Sequence, residues 1–135
     1  MVVKPTKAST RTTSTPTLSV VVPLFNEAKG LPGLHERIAE VARYLQVKRG
    51  LNLEIVYVDD GSSDGTSGVA KSLPAIPLDI QVVTLSRNFG KEAALLAGLD
   101  HARPGAVLFM DGDGQHPPDL IDTLVARWLD DGYDV

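Results

Sequence analysis

Asp111-Gly112-Asp113 places two carboxylates two residues apart in a glycine-rich turn, with Gln115 and His116 just beyond. Carboxylates so spaced can reach one hard cation together, and that cation can hold a diphosphate and offset its charge as it leaves. Oxygen donors suit Mg2+ or Mn2+, which favours Gln115 over His116 as a further ligand. The same residues also suit a plain turn followed by a helix N-cap, and the spacing alone does not separate the two. A calcium loop is excluded by counting. Starting from Asp111 the sixth place holds His116 instead of glycine, and starting from Asp60 the twelfth place holds Lys71 instead of glutamate.

A second acidic stretch is Asp59-Asp60-Gly61-Ser62-Ser63-Asp64-Gly65-Thr66. A carboxylate here can accept a hydrogen bond from a base N–H or a ribose hydroxyl, or it can build an Asx turn and cap the next helix. The structural reading puts Asp60 in the Asx turn; both readings are nevertheless expected from different residues, Asp60 on a ligand and Ser62 or Asp64 on the cap. Arg87 and Lys91, in Ser86-Arg87-Asn88-Phe89-Gly90-Lys91, are the cations nearest these acids; each could face a phosphate or pair with a neighbouring carboxylate. Glu27 is either a first-turn helix residue favoured by the dipole or part of the same cleft. No G-x-G-x-x-G follows the first strand and no Walker A lysine is present, so the dinucleotide-binding fold and P-loop ATPases lose support.

These groups need a scaffold, and the pattern supplies one. Leu18–Val22, Leu53–Val58, Ile80–Leu85 and Ala106–Met110 are short apolar runs of the kind buried on both faces of a parallel sheet. Between them Leu34, Ile38, Val41 and Leu45 form one helix face, and Ala93, Ala94, Ala97 and Gly98 form a small-residue face that permits close packing. A short helix is expected from about Asp64 to Ser72, and Leu120, Leu124, Val125, Trp128 and Leu129 mark a last one. Alternating strands and helices predict an α/β fold with a mostly parallel sheet and right-handed crossovers. In such sheets ligands bind beyond the C-terminal strand ends, which is where every acidic or basic motif above falls.

The chain has 135 residues, 43% hydrophobic and 22% charged, enough for one packed domain. Cysteine is absent, which excludes disulfides, thiolate metal sites and a cysteine nucleophile. Residues 1–17 stand apart: ten are Ser, Thr or Pro, and the charges are Lys4, Lys7 and Arg11. They read as a disordered tail before a domain spanning 18–135. The net charge is −4, and −7 once those three cations are set aside, which argues against nucleic acid as a partner. Apolar runs fall far short of the roughly 20 residues that span a bilayer, and no signal peptide is expected. Gly132-Tyr133-Asp134-Val135 reads as a helix exit into a fifth strand, so the chain is expected to be a truncated part of a longer one. An incomplete sheet would offer its open edge to another chain, hence a possible homo-oligomer.

Four segments together, VVVPLFNEAKGL, VDDGSSDGT, LSRNFGKEAALLAGLDHA and MDGDGQHPPDLI, resemble the nucleotide-binding half of a family 2 inverting glycosyltransferase with the GT-A fold. The similarity spans residues 18–135 and is greatest to dolichyl- and undecaprenyl-phosphate sugar transferases of the dolichyl-phosphate mannose synthase kind. It implies a Rossmann-like GT-A half and a donor of the UDP-glucose or GDP-mannose type. It further implies a polyprenyl phosphate acceptor, Mg2+ or Mn2+, and work at the cytoplasmic face of a membrane. By resemblance, Pro23, Phe25 and Glu27 line the nucleoside pocket, and Val58 and Asp60 contact the base. Asp111, Gly112 and Asp113 hold the diphosphate and the cation with Gln115 beside them, Asp111 and Asp113 being the catalytic pair. Where the group commonly has D-A-D-L-Q, Gly112 and Gly114 imply a looser loop. A saccharide hydroxyl acceptor, or a nucleotide-sugar-binding module without activity of its own, are the other readings. A nucleotidyltransferase would need a triphosphate loop that the sequence lacks.

Overall fold

The computed structural model describes residues 2–3, 17–75, 78–113 and 119–131. Strands β1 (Val2–Val3), β2 (Thr17–Leu24), β3 (Asn52–Asp59), β4 (Asp79–Thr84) and β5 (Ala106–Phe109) form one sheet. Helices α1 (Leu31–Arg49), α2 (Thr66–Lys71), α3 (Lys91–His101) and α4 (Asp119–Asp131) lie between and after them. The sheet order is β1-β5-β2-β3-β4. β2 pairs in parallel with β3 and β5, β3 pairs in parallel with β4, and β1 lies antiparallel to β5. The predicted α/β fold with a mostly parallel sheet is the one observed. One departure concerns residues 1–17. Val2 and Val3 pair with Leu108 and Val107, and Thr17 opens β2, so these three belong to the sheet; residues 4–16 and 132–135 lie outside the described residues.

Side chains alternate across the sheet and feed two apolar layers. One face carries Leu18, Val20, Val22 and Leu24 of β2, Ile55 and Tyr57 of β3, and Leu108 of β5. Onto it pack Leu34, Ile38, Val41 and Leu45 of α1 with Ile121 and Val125 of α4. On α4 the buried face centres on Ile121 and Val125, with Leu124 and Trp128 partly buried, whereas Leu120 and Leu129 are exposed. The buried stripe is therefore turned by about one residue from the predicted one. The other face carries Val21, Val56, Val58 and Val107 and receives α3 through Ala94. α3 lies very close: a Cβ on Gly98 would stand 2.2 Å from Val21 Cγ1, so only the small-residue face allows this approach. α1 ends at Gly50, whose left-handed φ of 62° lets its own N–H reach the Gln46 carbonyl at 3.1 Å and the Leu51 N–H reach the Leu45 carbonyl at 3.3 Å.

Of the buried polar groups, Glu54 and His35 lie away from the C-terminal strand ends, and both are satisfied. Glu54 on β3 accepts from Ser19 Oγ at 3.0 Å, Gln81 Nε2 at 3.0 Å and the Arg103 backbone at 3.2 Å. It also pairs with Arg103 Nε at 3.0 Å. His35 on α1 lies 2.7 Å from the Pro74 carbonyl through Nε2 and 2.8 Å from the Tyr57 hydroxyl through Nδ1. A carbonyl only accepts, so Nε2 carries the proton, and Nδ1 accepts from Tyr57. Burial pushes the Tyr57 phenol far above its ordinary range, which keeps it a donor. Tyr57→Phe leaves His35 Nδ1 buried without its donor. It is expected to cost about 1–3 kcal/mol in urea unfolding; an unchanged midpoint would show that the pair contributes nothing.

Candidate functional site

The register brings the C-terminal ends of β2, β3 and β4 level, with β5 ending three residues lower. Leu24 lies opposite Asp59 and Asp59 opposite Thr84, while Val21 lies opposite Phe109. Backbone bonds extend the pairing into the loops: Asp60 N–H to Leu24 O at 2.8 Å, Leu85 N–H to Asp59 O at 2.9 Å, and Met110 N–H to Val21 O at 3.0 Å. Four loops therefore start from one rim.

Side chains then tie those loops to one another. The loop after β2 gives its amides to the loop after β3: Asn26 N–H to Ser62 Oγ (2.8 Å), Glu27 N–H to Thr66 Oγ1 (3.0 Å) and Ala28 N–H to Asp64 Oδ2 (3.1 Å). Asn26 returns the contact by accepting from the Ser63 amide at 2.9 Å, and it holds a left-handed φ of 55° to do so. The next tie runs from the loop after β3 to the loop after β4. Asp60 is buried, and its carboxylate accepts from the Phe89 amide (2.8 Å), the Gly90 amide (3.0 Å) and Asn88 Nδ2 (3.2 Å). Gly61, at φ 73°, presses on the same loop: a Cβ there would stand 2.3 Å from both Arg87 C and Asn88 N. The last tie joins the loop after β5 to β2. Gly112 is buried against β2, where a Cβ would lie 2.7 Å from the Pro23 carbonyl oxygen and 2.6 Å from Leu24 Cδ2.

These ties frame a cleft of about 350 Å3 lined by Pro23, Leu24, Phe25, Glu27, Asp60, Asn88, Gly90, Lys91, Asp111, Gly112 and Asp113. Its floor is strongly acidic. Burial raises the Glu27 pKa above the usual carboxylate value, and the charges of Asp113 and then Asp64 raise it further. Lys91, the first residue of α3, forms an ion pair with Asp111 Oδ1 inside the cleft. The positive end of α3 opens on the same space.

Eight of the predicted site residues meet here: Pro23, Phe25, Glu27, Asp60, Lys91, Asp111, Gly112 and Asp113. Three do not. Val58 is fully buried in the layer beneath α3, against Gly98, because alternation along β3 turns its side chain into the core. Arg87 is exposed and outside the cleft lining, with its guanidinium carbon 4.6 Å from the Phe89 ring centroid. Gln115, like Gly114 and His116, lies outside the described residues. Two expectations are corrected in detail. The turn after β3 is closed by Asp59, which accepts from the Ser62 amide at 3.0 Å, and not by Asp60. Gly112 packs tightly on Pro23, whereas Gly114, the other glycine of the expected looser loop, lies outside the described residues. Asn88 and Gly90 join the lining without having been singled out by the sequence; their only signal was proximity to Lys91.

Gly61-Ser62-Ser63-Asp64-Gly65 also has the G-x-S-x-G spacing of a nucleophile elbow. Ser63 Oγ contacts Asn26 Oδ1 at 3.4 Å and, among the described residues, no histidine, so here the spacing is that of a loop tie.

Residues 19–135 match the family described as glycosyl transferase family 2. The chain belongs to that family. This family 2 chain is 43% identical over 118 residues to an uncharacterized glycosyltransferase of Synechocystis sp., covering 87% of the chain and 36% of the relative. It is 38% identical over 111 residues to the bactoprenol glucosyl transferase of Shigella phage SfV, covering 82% and 35%. Among solved structures it is similar to S. aureus TarS 1-349, with a TM-score of 0.68 and 25% identity over 84% of the chain and 32% of TarS 1-349. It is also similar to the mannosyltransferase PcManGT of Pyrobaculum calidifontis in complex with GDP-Man and Mn2+, with a TM-score of 0.61 and 31% identity over 73% and 28%. The family 2 chain spans about a third of the length of these relatives. The GT-A α/β architecture expected from the sequence is thus the one its neighbours share.

The loop ties give a stability test. Gly61→Ala meets both left-handed strain and the Arg87–Asn88 backbone, and is expected to cost about 2–4 kcal/mol in urea unfolding. Gly65, at φ 84°, has nothing within 4 Å of the position a methyl group would take, so Gly65→Ala should cost only the strain, about 1–2 kcal/mol. Equal losses would mean that the two loops do not press on each other.

Proposed function

We propose that the protein transfers a sugar from a nucleotide-diphosphate sugar, of the UDP-glucose or GDP-mannose type, to a polyprenyl phosphate with inversion. In this reading residues 18–135 form the donor-binding part. The observation that carries it is the meeting of Asp111 and Asp113 with Glu27, Asp60 and Lys91 in one cleft at the strand ends. The donor class is supported by neighbours solved with UDP and with GDP-Man and Mn2+, and the acceptor by the bactoprenol glucosyl transferase relatives.

A divalent cation fits the donor set. Asp111 and Asp113 offer hard oxygen ligands, and Glu27, whose pKa is raised first by burial and then by the charge of Asp113, adds a third acid to the same cleft. Asp111 and Asp113, with Gln115, would hold Mg2+ or Mn2+, which supplies positive charge against the departing diphosphate. The chain's own contribution is positional. Lys91 and the amide end of α3 add positive charge facing the diphosphate, and Asp60 fixes the loop that carries them. Phe25, about half exposed at the cleft wall, offers a flat apolar surface for the base.

The acceptor explains why no base is required. A phosphate monoester has its second pKa near about 6 and is mostly dianionic at neutral pH. One of its oxygens forms the bond to the anomeric carbon from the face opposite the diphosphate as the old C–O bond breaks, so the configuration inverts and the nucleoside diphosphate leaves with the electron pair. Positioning and charge stabilisation supply the catalysis. A lipid acceptor places the reaction at a membrane surface, on its cytoplasmic face; no described helix is long and apolar enough to cross a membrane.

Calorimetric titration of the chain with UDP-glucose and GDP-mannose, with and without Mn2+, tests the donor site. Metal-dependent binding of one donor is expected, weakened about tenfold to a hundredfold in Asp113→Ala. Equal donor binding by wild type and Asp113→Ala would overturn the site assignment. Turnover with saccharide hydroxyl acceptors and none with polyprenyl phosphate would replace the acceptor.

A further inference from the structure

We infer that Lys91 is a resident counter-ion for Asp111, displaced by the divalent cation and then available to the diphosphate. The inference rests on the donor-site reading above and adds an order of events to it. Three observations carry it. Lys91 Nζ pairs with Asp111 Oδ1, one of the two carboxylates that would ligate the metal. The Lys91 side chain is 59% exposed and that of Asp111 20%, so the ammonium is the partner with freedom to move. The backbone of Lys91 has no such freedom. Gly90 and Phe89 just before it are held by Asp60, and α3 just after it packs on Val21 through Gly98. A displaced ammonium therefore stays within the cleft, which Lys91, Asp111 and Asp113 all line.

An ammonium and a divalent cation that use the same carboxylate oxygen compete for it. Without metal, Lys91 offsets part of the acidic charge gathered from Asp111, Asp113 and Glu27. With metal bound, the carboxylate is taken, and the nearest new anion for the ammonium is a diphosphate. Lys91 thus weakens metal binding to the empty site and strengthens diphosphate binding to the loaded one. A merely structural lysine would not move the two affinities in opposite directions.

The experiment uses the whole chain as wild type, Lys91→Met and Lys91→Arg. Mn2+ binding is followed by the electron paramagnetic resonance of the free ion, and inorganic pyrophosphate is then titrated at saturating Mn2+. Lys91→Met is expected to bind Mn2+ about threefold to tenfold more tightly and Mn2+-dependent pyrophosphate more weakly by a similar factor. Lys91→Arg, which keeps the charge, should stay near wild type in the Mn2+ titration. If Lys91→Met binds Mn2+ no more tightly than wild type, while wild type still takes up a nucleotide sugar with Mn2+, this inference alone falls. If none of the three chains binds Mn2+, it falls together with the metal part of the proposed function.

Discussion

The carboxylate of Asp60 is the point at which the cleft is joined. It is buried at the end of β3, where a lone charge would be costly, and it is tolerated because two backbone amides and one side-chain amide surround it. Those donors all belong to Asn88–Gly90, the loop that would otherwise leave the sheet without any ladder to guide it. The charge therefore fixes a loop, the loop fixes the first turn of α3, and that turn carries Lys91 to Asp111. Strand pairing alone levels the ends of β2, β3 and β4; it does not determine where the side chains beyond them go.

The two ends of the sheet use buried acids for different purposes. At the N-terminal end, Glu54 gathers Ser19, Gln81 and Arg103 into one hydrogen-bonded network. At the C-terminal end the acids gather in an open cleft, where burial first and then the charges of Asp113 and Asp64 raise the Glu27 pKa. The first arrangement stabilises the crossover after α3. The second leaves its acids facing a space that a ligand can enter.

The scaffold was well legible because both sheet faces are buried. Runs such as LEIVYV have no polar face, and the Leu34–Ile38–Val41–Leu45 stripe admits only one helix orientation. The α4 face was harder, since Leu120 and Leu129 belong to its apolar composition but not to its buried side. The strand-end motifs located the cleft correctly. Roles within it were less legible, because neighbouring Asp59 and Asp60 have the same chemistry and opposite directions: one closes its own turn and the other reaches a different loop. Gly112 shows the same limit. A glycine's sequence signal is conformational freedom, while its use here is the absence of a side chain against the Pro23 carbonyl.

The amides of Asn26, Glu27 and Ala28 each meet a side chain of the loop after β3, three consecutive residues against one short segment. The partners, Ser62, Thr66 and Asp64, do not follow in chain order, so the bonds interlock the two segments as one patch. An insertion or deletion in either segment would pull several of these bonds apart at once, whereas a change of side chain at Phe25 or Asn88, which supply none of them, leaves them untouched. Changes accepted in descendants of this chain would thus be expected to fall on the residues lining the cleft sooner than on the lengths of the segments that frame it.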